Sequence, residues 1–111
     1  MGSINREAAL RRLEGDEELY SEIIAIYLAD TPVQIAKLEH AVETGDMETA
    51  LRQAHSIKSA SGNVGADLVR QIAAEIETCR REGDIEVLHD LTKQLRVVFN
   101  QAEADLQHPC V

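Results

Sequence analysis

The stretch Leu88-His89-Asp90-Leu91-Thr92-Lys93-Gln94-Leu95-Arg96-Val97-Val98-Phe99-Asn100-Gln101-Ala102 sets Leu88, Leu91, Leu95, Val98 and Ala102 at alternating steps of three and four. That spacing is the apolar seam of a helix packed in a bundle. The same period recurs upstream. Leu19, Ile23 and Ile26 mark a core face that resumes at Ile35, Leu38 and Val42. Met47, Ala50, Ala54, Ile57 and Ser61 mark another, and Leu68, Val69, Ile72, Ala73, Ile76 and Cys79 a third. Thr31-Pro32 interrupts the first of these, because proline removes a backbone donor and collides with the preceding turn. One long helix kinked at that point is expected, with a full break as the alternative.

Three Gly-Asp pairs, Gly15-Asp16, Gly45-Asp46 and Gly83-Asp84, separate the periodic segments. Glycine suits the left-handed residue that ends a helix, and aspartate accepts the unpaired N–H groups that begin the next. They predict three tight helix-to-helix turns, and Gly62-Asn63-Val64-Gly65 is a weaker fourth break. A short helix over about Asn5 to Leu13 precedes the rest. No alternating strand pattern and no repeat of 20–50 residues occurs. The pattern predicts an all-α protein: an up-down-up-down four-helix bundle with a short N-terminal capping helix. It forms one domain over residues 1–111, with Met1-Gly2-Ser3 read as a cloning remnant and 107–111 as a tail.

The 111 residues carry 11 Lys and Arg against 20 Asp and Glu, a net charge of −9. That balance argues against nucleic acid and against an anionic membrane surface as partners. Hydrophobic residues make up 44%, enough for a folded core, and the aromatics are only Tyr20, Tyr27 and Phe99. Two cysteines, Cys79 and Cys110, are too few for a disulfide framework and read as reduced thiols. The longest apolar run, Ile23 to Ala29, is far short of the roughly 20 residues that span a bilayer. A cytoplasmic, monomeric domain is expected.

Of four histidines, His55 has the most informative surroundings. On a helical wheel the core stripe of Ala50, Ala54, Ile57, Ser61 and Val64 is centred about 140° from it, so His55 faces solvent. Glu48, Leu51, Arg52, Lys58, Ser59 and Gly62 share its side. Lys58 and Ser59 are its i+3 and i+4 neighbours. A cation one turn away favours an incoming anion and disfavours the imidazolium. Gly62 leaves part of the face without a side chain, so another protein can approach, and an exposed Leu51 suits a contact. His89 lies in a single Glu-x-x-His spacing, Glu86 to His89, and Asp105 to His108 is a distorted second copy; chance is the better reading than a metal site. His40 and His108 read as solvated residues, and Cys79 as a small core residue. No acid–base partner is placed for Ser56 or Ser59 as a nucleophile.

The segment Ala54-His55-Ser56-Ile57-Lys58-Ser59-Ala60-Ser61-Gly62-Asn63-Val64-Gly65-Ala66 resembles the signature of histidine-containing phosphotransfer (HPt) domains. In that family the phosphorylated histidine is followed by an apolar residue, lysine, usually glycine, small residues, and a glycine at plus ten. The likeness extends to Arg11 through Leu19, to Ala41 through Asp46 with Ala50, and to Arg81-Glu82-Gly83-Asp84. By position it implies that His55 is the phosphoryl acceptor and donor through Nε2 and that Lys58 holds or screens the phosphoryl oxygens. Gly62 and Gly65 match the small positions. Ser59 departs from the family's glycine; it is small enough to donate a hydrogen bond to a phosphoryl oxygen or to crowd a docking receiver.

No GxxxxGK[ST] loop and no paired acidic residues for Mg²⁺ are evident. As the resemblance implies, a partner receiver domain supplies the aspartyl phosphate and the Mg²⁺, and this chain binds no cofactor of its own. It is then a covalent carrier rather than an enzyme, partnered by response-regulator receivers or a hybrid sensor histidine kinase. Docking is expected over Leu51 and the face around His55, with Leu10 of the first helix. The alternatives are a bundle that docks a receiver or kinase without chemistry, and a domain phosphorylated by a chemotaxis-type kinase using ATP.

Overall fold

A computed structural model describes residues 4–80 and 82–107. Five helices follow in order: α1 (Arg6–Arg12), α2 (Glu17–Thr44), α3 (Met47–Val64), α4 (Asp67–Glu77) and α5 (Ile85–Gln107), the last preceded by a single 3₁₀ turn at Glu82–Asp84. α2 packs on α3, α3 on α4, α4 on α5, and α5 closes back on α2. The result is a four-helix bundle with α1 across one end.

The helix starts follow the capping chemistry. Asn5 Oδ1 accepts the Ala8 N–H, Asp16 Oδ1 that of Leu19 and Asp46 Oδ1 that of Thr49, at 3.0–3.1 Å. The first and second Gly-Asp pairs are thus helix junctions as expected. At the second, Gly45 takes the left-handed conformation, with φ +77°. The third differs. α4 already ends at Glu77, where the Thr78 hydroxyl bonds Glu75 O and Arg80 Nε bonds Glu77 O. Those side chains add hydrogen bonds at the last carbonyls of the helix, where the backbone pattern runs out; Glu75 O also accepts the Thr78 N–H at 3.0 Å. Gly83 falls in the 3₁₀ turn with no positive φ, and Cys79 is buried beyond the helix rather than on it.

α2 runs through Thr31-Pro32 as one element. An interior proline costs about 3 kcal/mol. Ile35 and Leu38, just past it, are fully buried, and at roughly 1.5–3 kcal/mol each their burial offsets that cost.

The face that the first half of α2 buries is not the expected one. Leu19 and Ile26 are exposed, Ile26 by 60%, whereas Tyr20, Tyr27 and Thr31 are buried. The tyrosines win because each brings a large ring and finds a partner for its hydroxyl. Tyr20 Oη donates to Val64 O at 2.8 Å, and Tyr27 Oη shares a 2.8 Å hydrogen bond with Ser61 Oγ. Burial pushes the Tyr27 phenol up to about 12, with the Ser61 bond pulling the other way. The Tyr27 ring also packs tilted against Phe99, centroids 5.8 Å apart.

On α4, Leu68 is exposed, leaving Val69, Ala73 and Ile76 as the core positions. On α5 the seam of Leu88, Leu91, Leu95 and Ala102 is buried as predicted, with Phe99 fully buried and Val98 only half-buried beside it. A bidentate pair, Arg96 to Glu39 at 2.7 and 3.1 Å, links α5 to α2.

α1 is tied to the last turn of α3. Asn5 N–H donates to Gly65 O at 2.7 Å, and Arg12 Nη1 donates to Gly62 O at 2.9 Å. Gly65 has φ +83°, and a Cβ there would lie well inside van der Waals contact of the Asn5 carbonyl. Only glycine satisfies both the left-handed turn and this close approach.

Candidate functional site

α3 presses one stripe into the core. Ala50, Ala54, Ile57, Ser61 and Val64 are all fully buried. His55 lies opposite, with 64% of its side chain exposed. α4 packs along α3, buries Val69, Ala73 and Ile76 in the core, and delivers its last residue, Glu77, to His55.

Glu77 joins two residues that α3 carries one turn apart. Its Oε2 lies 3.0 Å from His55 Nδ1, and its Oε1 lies 2.6 Å from Lys58 Nζ. The Lys58 contact is an ion pair. Burial pushes the Glu77 carboxyl up, but the contacts with Lys58 and His55 outweigh it and hold the group below the ordinary 4.5. An ionised carboxylate only accepts hydrogen bonds. The proton of a neutral His55 ring therefore sits on Nδ1, and the Nε2 lone pair points outward.

Lys58, the cation one turn from His55 on α3, has a partner that the wheel of α3 does not show. It is a third exposed and engaged with Glu77. Ser59 is exposed next to it. The bare patch expected at Gly62 is instead covered: a Cβ there would meet Arg70 Cδ at 3.3 Å and Arg12 Nη1 at 3.9 Å. Two arginines from neighbouring helices supply the bulk that Gly62 lacks. Leu51 is half-buried rather than exposed, and Leu10 is half-buried against the core. The large exposed apolar side chains of α2 are Leu19, Ile26 and Val33, and Ile26 and Val33 line the groove between α2 and α3.

Glu77, Arg12 and Arg70 are the residues that sequence reasoning missed. Glu77 follows the apolar stripe residue Ile76, and only that flanking position on α4 hinted at it. Among the described residues no three His, Cys, Asp or Glu side chains form a group able to hold a metal ion. His108 and Cys110 lie outside the described residues, as do Met1-Gly2-Ser3. Among the described residues no helix is long and apolar enough to cross a membrane.

The family model for the Hpt domain matches residues 22–105. The chain belongs to this family, the histidine-containing phosphotransfer domains of phosphorelays. It is 26% identical over 90 residues to the phosphorelay intermediate protein rdeA of Dictyostelium discoideum, a match covering 78% of this chain and 35% of that protein. The chain therefore spans about a third of the length of this curated relative. Among solved structures it is similar to the HPT domain of a hybrid sensor histidine kinase from Shewanella. There the TM-score is 0.85 at 21% identity, covering 96% of this chain and 92% of the other. It is similar also to histidine-containing phosphotransfer protein B of Pseudomonas aeruginosa PAO1, with TM-score 0.84 at 23% identity over 95% and 91% of the two chains. These likenesses establish the helical-bundle fold.

Proposed function

We propose that this domain is a phosphorelay carrier in which His55 accepts a phosphoryl group from the aspartyl phosphate of a receiver domain and passes it to another. The observation that carries the reading is the exposed His55 ring with its Nδ1 held by Glu77.

The chemistry balances without a proton leaving the ring. The Nε2 lone pair attacks phosphorus, an N–P bond forms, and the P–O bond to the receiver's aspartate breaks, releasing a carboxylate. The ring keeps its Nδ1–H and becomes cationic as the bond forms. Glu77 faces that developing charge, so its attraction grows toward the transition state. The reverse sequence returns the group to a second receiver. Lys58 keeps Glu77 ionised, and its ammonium has further N–H donors for the phosphoryl oxygens. Ser59, one helical turn past His55, adds a hydroxyl on the same side. Gly62 stays small so that Arg12 and Arg70 pack over it.

The chain has no role for a cofactor of its own in this scheme; Mg²⁺ belongs to the receiver's acidic site. Alignment by docking then governs the rate, so the domain acts as a covalent intermediate rather than an enzyme. The docking face combines the accessible part of Leu51 with Ile26 and Val33, and Leu10 contributes its outer edge. Its partners are response-regulator receivers or the receiver of a hybrid kinase, met by a monomer in the cytoplasm.

The test is incubation with a ³²P-labelled phospho-receiver, followed by mapping of the label. Acid-labile, base-stable phosphate on His55 supports the carrier reading. A His55→Gln variant that takes up as much label overturns it and leaves a docking module.

A further inference from the structure

Beside the His55 face, the groove between α2 and α3 contains a cavity of about 250 Å³. Ile23, Ile26, Tyr27, Asp30, Thr31 and Gln34 line it from α2, at the spacing of one helix face. Ala60 and Asn63 close it from α3.

Two polar atoms buried there have no partner. Thr31 is completely buried and its Oγ1 bonds to nothing; Gln34 Oε1 is likewise unsatisfied. This is not the habit of helical threonines in this chain. Thr92 Oγ1 donates to Leu88 O at 2.7 Å, and Thr44 Oγ1 donates to His40 O at 3.0 Å. Leaving a buried polar group without a partner is unfavourable, so two at one cavity mark a place completed by something from outside.

The chemistry of the lining selects the occupant. Gln34 Oε1 and the Asp30 carboxylate at the rim accept hydrogen bonds, and Thr31 Oγ1 accepts as well. Ile23, Ile26 and Ala60 provide apolar walls. A long aliphatic stem ending in a cationic donor head matches both features, as in arginine or lysine. The net charge of −9 adds a general attraction for such a group. The cavity falls below the roughly 300–1,000 Å³ of pockets that engulf whole ligands, and suits one side chain. Asn63 lies eight residues from His55 on α3, about 12 Å along the axis. A docked partner covers roughly 800 Å², so one seated over His55 reaches the cavity.

We propose that this cavity receives an arginine or lysine side chain of the docking receiver and acts as a specificity determinant of the interface. The proposal rests on the carrier reading for its partner, but its test needs no phosphate. The labelled chain is titrated with butylguanidinium and, separately, with neutral 1-butanol, and followed by NMR. Saturating shifts confined to Thr31, Gln34, Ala60 and Asn63 are expected for butylguanidinium in the millimolar range, at least about tenfold weaker for butanol. Asp30→Asn and Thr31→Val should each weaken the binding several-fold. Thr31→Val should also leave the melting temperature unchanged or raised, since it removes an unsatisfied hydroxyl. Absence of saturating shifts, equal binding of both probes, or a clear fall in melting temperature for Thr31→Val overturns the proposal. A chain that binds butylguanidinium yet takes no label on His55 keeps the cavity and loses the carrier.

Discussion

Glu77 Oε2 and His55 Nδ1 stand 3.0 Å apart although twenty-two positions separate them in the chain. The contact joins the end of α4 to the middle of α3 and fixes which ring nitrogen faces outward. Charge-assisted hydrogen bonds of this kind are worth about 1.5–3 kcal/mol. Glu77→Ala should therefore slow phosphorylation of His55 by roughly 10–100-fold, measured as label uptake from a phospho-receiver. Glu77→Gln keeps an acceptor for Nδ1–H but removes the charge, and should fall between that variant and the parent. Equal rates in all three would remove Glu77 from the mechanism.

The same carboxylate makes a pH prediction. In the folded chain it titrates below the ordinary 4.5. A carboxyl whose folded value is lowered stabilises the fold above its unfolded value and loses that contribution as pH falls through the folded one. The contribution of Glu77 is thus complete above about 4.5 and disappears at lower pH. Urea denaturation between about pH 5 and pH 3 should show a shallower loss of stability in Glu77→Gln than in the parent.

Lys58 has a separate signature. Lys58→Ala removes the ion pair at Oε1, and the Glu77 carboxyl should titrate closer to 4.5, read from its carboxyl carbon shift. Helicity should be unchanged, since Lys58 points away from the core stripe. Label transfer should slow, or the phosphohistidine lifetime shorten. An unaltered Glu77 titration, transfer rate and lifetime would leave Lys58 without a role.

Two left-handed glycines should differ in their tolerance of a methyl group. Gly45 has nothing within 4 Å of an added Cβ, whereas at Gly65 the Cβ would run into the Asn5 backbone. Gly45→Ala should cost about 1 kcal/mol from the backbone conformation alone. Gly65→Ala adds the clash and should cost roughly 3 kcal/mol or more. At about 4 °C per kcal/mol for a domain of this size, circular dichroism melts should separate the two by about 8 °C or more.

The buried Tyr27–Ser61 pair supplies a fifth test. Ser61→Ala leaves the Tyr27 hydroxyl without its partner and should cost about 1–3 kcal/mol. Adding Tyr27→Phe removes the stranded group and should recover part of that loss. The double-mutant cycle would show a coupling of roughly 1 kcal/mol; strictly additive effects would mean that the two hydroxyls do not depend on each other.

Features written within a single helix were legible before any coordinates. The seam from Leu88 to Ala102, the caps at Asp16 and Asp46, and the outward position of His55 all follow from spacing along one helix. Features made between helices were not. Ile26 and Tyr27 are neighbours of similar apolar character, and the choice between them rests on Ser61, 34 positions away. Likewise the wheel of α3 shows Lys58 beside His55 but has no room for Glu77 from α4. Gly62 reads as an open spot on that wheel, because the arginines that cover it come from α1 and α4.

The last turn of α3 and its cap residue offer three carbonyls, at Gly62, Val64 and Gly65, to Arg12, Tyr20 and Asn5. All three donors precede residue 22, where the shared family span begins. A fragment trimmed to that span would keep the exposed imidazole yet forfeit the brace on the rod that carries it. Anyone grafting this unit into another signalling protein should cut upstream of Asn5, or expect a frayed helix and sluggish relay.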